Sequence, residues 1–162
     1  MTDKYPGLFD GAADSAAIVI NAIANEAMDI GSPVNFVAPA TGEIAPRVAL
    51  IATNGHVGGV VVGGDANGIW VDGTTTNDGS AAAAAGDTVK ICTQGRCKVR
   101  VDGSTGGASS NIAVGDPLCA GDVDGVAKLC VTAGDIVFAR ALQTSTAVQD
   151  AILCEVSQEG IL

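Results

Sequence analysis

A chain of 162 residues that is 48% apolar has enough length and hydrophobic content for one sizeable core, or for two small units sharing one. Its net charge of −10 argues against nucleic-acid partners, because neutralising phosphates needs clustered lysine and arginine. No stretch reaches the roughly 18 uninterrupted apolar residues of a membrane span, and Met1-Thr2-Asp3-Lys4-Tyr5-Pro6 lacks the segments of a signal peptide, so synthesis in the cytoplasm without general secretion is expected.

Residues 1–15 carry Pro6, Gly7, Gly11 and scattered aspartates without periodicity, and read as an extended arm. It is either a frayed terminus or a segment that orders on a neighbouring subunit through Tyr5, Leu8 and Phe9. Residues 16–30 fit two patterns. Asp14 or Ser15 would cap a helix through Ile18, Ile23 and Met28, whereas Ile18, Ile20, Ala22 and Ala24 alternate as in a strand.

From residue 33 onward the pattern is β. Short apolar runs occur at 34–37, 48–52, 57–62, 68–71, 88–92, 97–101, 117–120, 127–131, 136–142 and 151–156. Turn signals separate them, among them Asn54-Gly55, Asp72-Gly73, Gly86-Asp87, Asp102-Gly103, Asp124-Gly125 and Gly134-Asp135. With 22 glycines and few aromatics, Val, Ile, Leu and Ala must fill the core. The expected fold is all-β, a compact barrel or sandwich of many short strands occupying residues 16–162. The low-complexity stretches 74–85 and 105–111 read as surface loops.

Gly31-Ser32-Pro33-Val34 is similar to Gly115-Asp116-Pro117-Leu118, and His56–Val62 parallels Asp135–Ala141. Either two related β units (28–73 and 112–157) pack together, or the likeness is chance in a Gly-, Val- and Ala-rich chain.

Two segments invite a register. Around Thr93-Gln94-Gly95, a three-residue hairpin loop puts Val89, Ile91, Cys97, Val99 and Val101 on one face. Lys90, Cys92, Arg96, Lys98 and Arg100 fall on the other, which leaves Cys92 and Cys97 unbridged. That basic face is either solvated and paired with nearby aspartates or, through Arg96, Lys98 and Arg100, a contact for an acidic neighbour subunit. Around Asp124-Gly125, a two-residue turn faces Leu118, Ala120, Ala127, Leu129 and Val131 together and sets Cys119 opposite Cys130. A disulfide there is geometrically open, although a reducing compartment favours free thiols.

The search for chemistry returns no catalytic, metal or cofactor site. His56, the sole histidine, follows Asn54-Gly55 and reads as a surface turn residue. Five cysteines match no zinc spacing, the aspartates near 116–124 lack an EF-hand pattern, and the glycine pairs fit no phosphate-binding loop.

One longer arrangement is familiar: Gly95-Arg96-Cys97-Lys98-Val99-Arg100-Val101, then Ile112-Ala113-Val114-Gly115-Asp116-Pro117-Leu118, then Gly125-Val126-Ala127-Lys128. It continues through Ile136–Leu142 to Ile152-Leu153-Cys154-Glu155-Val156. This resembles the capsid decoration (cement) proteins of tailed bacterial and archaeal viruses, over residues 86–157 and more loosely 28–71. The cysteines and the Thr/Ala loop lie outside the pattern. The resemblance implies a non-enzymatic virion protein on the outer surface of the capsid. It would often be a homotrimer, would clamp neighbouring copies of the major capsid protein, and would have no cofactor, nucleic-acid or membrane partner. The competing expectation is a virion surface or fibre module that binds host glycans through exposed aromatics, for which only Trp70 is a candidate.

Overall fold

The computed structural model describes residues 17–52, 55–64, 81–103, 111–147 and 150–161. Alternating small β-branched and polar residues, interrupted by glycines at positive φ, make short strands that turn sharply. The strands are β1 (Ile18–Ala24), β2 (Met28–Asp29), β3 (Pro33–Val37), β4 (Arg47–Leu50), β5 (Gly59–Gly64), β6 (Ala81–Ala83) and β7 (Thr88–Asp102). They continue with β8 (Pro117–Ala120), β9 (Ala127–Leu129), β10 (Ile136–Ala141) and β11 (Asp150–Ile161). The alternative readings of residues 16–30 resolve as a strand, in which Ala22 and Ala24 are buried while Asn21 and Asn25 are exposed and Ile23 is half-buried.

The strand pairings close two rings that share β7. The first runs β1-β4-β3-β5-β7 and returns to β1. The second runs β7-β11-β10-β8-β9 and returns to β7. Each ring contains one parallel pair, β1–β4 and β7–β9, and every other pair is antiparallel. Thus residues 88–94 are the last strand of the first ring, and 95–102 the first strand of the second.

The correspondence extends to single hydrogen bonds, which make Val61 the equivalent of Ala141, one residue before the Val62 that the sequence parallel implies. Gly31 N donates to Val61 O and Val61 N to Ser32 O, at 2.7 and 2.9 Å. Gly115 N donates to Ala141 O and Ala141 N to Asp116 O, at 2.8 and 3.0 Å. Gly31 and Gly115 both sit at positive φ, +87° and +93°, where an L side chain is strained. The two Gly-x-Pro segments therefore launch equivalent strands, β3 and β8.

Closed rings this small are filled by side chains. Ala22, Ala24, Val34, Val48, Val61, Val89 and Ile91 belong to one buried cluster. Cys97, Val99, Val101, Leu118, Phe138, Ile152 and Cys154 belong to a second, which also takes in Val60, Val62 and Cys92 from the outward side of the first ring. That outward side is where the two rings meet.

Three expectations need correction. Thr93-Gln94-Gly95 is not a hairpin loop, because β7 continues through it without reversing. A straight strand and a three-residue hairpin put the same odd-numbered residues on one face, so alternation alone does not separate them. Partner supply does: β1 takes Ile18↔Gln94 and earlier pairs, and β11 takes Val156↔Gly95 and later ones. Cys92, expected on the polar face, is fully buried because its face packs on the second ring. The strand does not reverse between Cys92 and Cys97, and both are free thiols, as the sequence implied.

The second hairpin has its faces right and its register wrong by two. Leu118 pairs with Leu129 and Cys119 with Lys128, and Val131 falls outside β9 and is exposed. The turn widened because residues 121–126 dock on the first ring, where Gly125 N donates to Ile51 O at 3.1 Å. Finally, the alanine run is not all surface loop: Ala82 and Ala83 are buried in β6, whose strand pairs with β2. Residues 68–71, 74–80 and 105–110, with Trp70 among them, lie outside the described residues.

Candidate functional site

The sequence singled out two sets of contact residues. Tyr5, Leu8 and Phe9 lie outside the described residues. Arg96, Lys98 and Arg100 project from the second half of β7, on the side away from Cys97, Val99 and Val101. The two arginines engage this chain's own acids: Arg96 Nε donates to Glu155 Oε2 at 3.0 Å, and Arg100 is ion-paired with Asp29, the last residue of β2. Lys98 is half-buried opposite Leu153. β7 thus gathers the three cations in one row, with Arg100 tying the second ring to the start of the first. His56 is exposed, as its turn position implies.

Among the described residues, one group of ligating side chains converges. Cys119 on β8, Cys130 just after β9 and Asp135 just before β10 place their thiol and carboxylate atoms within 4.8 Å of one another. Local structure brings them there in three steps. The β8–β9 pairing continues past Leu129, with Cys130 N donating to Pro117 O at 2.9 Å. The chain then reverses over 131–134, where Gly134 has φ +100° and Asp135 N donates to Thr132 O at 3.1 Å. β10 next returns beside β8, through Ala139↔Leu118, which carries Asp135 back over Cys119.

Cys119 Sγ donates to Asp135 Oδ2 at 3.6 Å. Cys119, Cys130 and Val137 form a small buried cluster of their own, separate from the main cores that hold Cys92, Cys97 and Cys154. A cavity of about 70 Å³ opens beside them, lined by Gly55, Cys119, Ala120, Gly134, Asp135 and Ile136. Burial pushes the Cys119 thiol far above its ordinary range, reinforced by Cys130 and by the Asp135 carboxylate, while Lys128 opposes the shift. Burial raises Cys130 too. Thiols held protonated in this way are poor nucleophiles, since the thiolate is the attacking species.

Sequence reasoning placed Cys119 across from Cys130 but missed Asp135. The signal for it was the Gly134-Asp135 turn; what was missing was the adjacency of β8 and β10, which no local pattern encodes.

No protein-family model matches the chain. No curated protein matches it significantly. Among solved structures, the crystal structure of the head fiber gp8.5 N base in bacteriophage phi29 is similar over 90% of this chain and 98% of that one. The sequence identity is 16% and the TM-score 0.49.

Proposed function

We propose that this chain is a structural virion protein that binds the exterior of a viral capsid and stabilises contacts between major capsid subunits. The observation that carries the reading is the coincidence of motif and architecture. The run resembling decoration proteins, Gly95 to Val156, maps strand for strand onto one complete ring: β7, β8, β9, β10 and β11. Two other features support it. The rings are stapled through a shared strand, which suits a part that bears load rather than one that opens and closes. A net charge of −10 favours solubility and limits self-association at high copy number. In this reading the protein is not an enzyme, its partners are the major capsid protein and further copies of itself, and Tyr5, Leu8, Phe9 and Lys98 are contact candidates.

Reconstitution tests it. Purified protein is added to undecorated capsids, and saturation stoichiometry and shell resistance to heat are measured. Stoichiometric binding that raises the disruption temperature is the expected result. No capsid binding would sink the reading, and glycan binding by the isolated protein in its place would favour a host-attachment module.

A further inference from the structure

We propose that Cys119, Cys130 and Asp135 form a binding site for a thiophilic divalent cation of the zinc class. The proposal is independent of the capsid role.

The geometry points there first. In a tetrahedral zinc site, with Zn–S about 2.3 Å and Zn–O about 2.0–2.2 Å, neighbouring ligand atoms sit roughly 3.5–3.8 Å apart. Cys119 Sγ and Asp135 Oδ2 already stand at 3.6 Å, and the Cys130 thiol lies within 4.8 Å of both. Small side-chain rotations therefore complete three corners without moving the backbone. The cavity lined by Gly55, Gly134 and Ile136 supplies the fourth corner, where a water completes the shell.

The chemistry agrees. Two thiolates and a carboxylate are the soft-to-borderline donor set that selects zinc over calcium or magnesium. On binding, both thiols release their protons to solvent, and nothing is oxidised or reduced. The resulting net charge of the centre is −1, and Lys128, opposite Cys119 across the strand pair, offsets it. Lys128 also donates to Asp122 Oδ1 at 2.7 Å, which holds the ammonium in place.

The three other cysteines make the contrast. Cys92, Cys97 and Cys154 sit in the large core as small hydrophobes, and among the described residues they belong to no such group of ligating side chains. A comparison of turns makes it again. Gly86-Asp87, Gly115-Asp116 and Gly134-Asp135 share the same backbone hydrogen bond, at 3.1, 3.2 and 3.1 Å. Asp87 and Asp116 accept from the backbone N–H of Ala84 and Ala113, closing their own turns. Asp135 instead presents Oδ2 to a thiol on a different strand. A bound cation would pin the 131–134 turn and the start of β10 to β8, where the sheet pairing is short.

The test uses the full chain, reduced and freed of metal by a chelator, and titrated with cobalt(II) as an optical probe followed by zinc. One cobalt per chain is expected, with thiolate-to-metal charge-transfer and tetrahedral d–d absorption that zinc abolishes. Equimolar zinc should raise the melting temperature. Asp135→Asn, which removes no thiol, should weaken binding at least tenfold and cancel the thermal shift. Cys119→Ser and Cys130→Ser should each lose most of the charge-transfer band, and Asp122→Asn should keep it. The proposal is overturned if cobalt gives no such spectrum, or if Asp135→Asn binds as tightly as the parent. It is equally overturned if Cys119 and Cys130 prove to be a disulfide in the isolated protein and the reduced chain binds no metal.

Discussion

The two rings are built to one plan and filled differently. In the first ring Ala24 pairs with Val48 across the parallel strands; at the equivalent place in the second, Val101 pairs with Ala127. Small and large have changed sides. The first ring sets Val61 beside Ile91, while the second sets Ala141 beside Cys154. It recovers volume in part through Leu118, which stands where the first ring has Val34. The aromatic contribution moves as well. Phe138 is fully buried in β10, whereas the equivalent residue before β5 is Gly58, against which the half-exposed Phe36 ring packs. The fold fixes strand order, and leaves open which strand supplies the large and which the small side chain.

The largest expected effect comes from the least symmetrical core residue. Phe138→Ala should cost about 3–5 kcal/mol by denaturant unfolding, through lost burial and a cavity. Because β7 belongs to both rings, the transition should stay single. Two separated transitions, with only one moved by the variant, would show that the rings are independent units.

Next is the point where β7 changes rings. Gly95 has φ +106°, and a Cβ there would lie 2.7 Å from the Ala17 Cα. Gly95→Ala should therefore cost about 2 kcal/mol and speed amide exchange in β1 first. Unchanged stability would mean that the hand-over does not need glycine.

The exchange of small and large residues can be engineered. Ala24→Val alone overpacks the first ring by about 1–3 kcal/mol, and Val48→Ala alone leaves a cavity. The double variant copies the second ring's arrangement. Its cost should fall below the sum of the singles by at least about 0.5 kcal/mol in a double-mutant cycle. Strict additivity would refute the equivalence of the two interiors.

Ion pairs separate the regions more weakly. Arg100–Asp29 ties the rings together with the guanidinium largely buried, and Arg96–Glu155 lies open on the second. Asp29→Ala should cost about 1 kcal/mol, and Glu155→Ala no more than about 0.5 kcal/mol. Equal costs would deny the first pair its bridging role.

The smallest effect lies in the 38–46 loop of the first ring. Arg47 Nε and Nη2 donate to the two carboxylate oxygens of Glu43 at 2.5 and 2.6 Å. These bonds, with a further one from the Ala40 N–H, pull the Glu43 carboxyl down to about 2. A depressed carboxyl favours the folded chain above its ordinary value of 4.5 and loses that contribution as pH falls through about 2. Carbon-detected NMR titration should find Glu43 still ionised at pH 3, where unpaired carboxylates are mostly protonated. Titration near 4.5 would show the pair does not persist.

Much of this was legible in the chain. Alternating Val, Ile and Ala marked nearly every strand, because burying one sheet face demands period two. The Gly-x-Pro repeats marked the starts of β3 and β8, because positive φ followed by a fixed proline φ has a sequence signature. Side-chain parity in β7 was also readable. Whether that parity belonged to a hairpin or a single strand was decided by β1, β5 and β11, which lie far away in sequence. The register of β8 and β9 was set by residues 121–126 docking on Ile51. The meeting of Cys119, Cys130 and Asp135 needed β10 to lie beside β8. Local patterns report which face a residue prefers; which partner waits there is a property of the closed rings, and only the tertiary structure contains it.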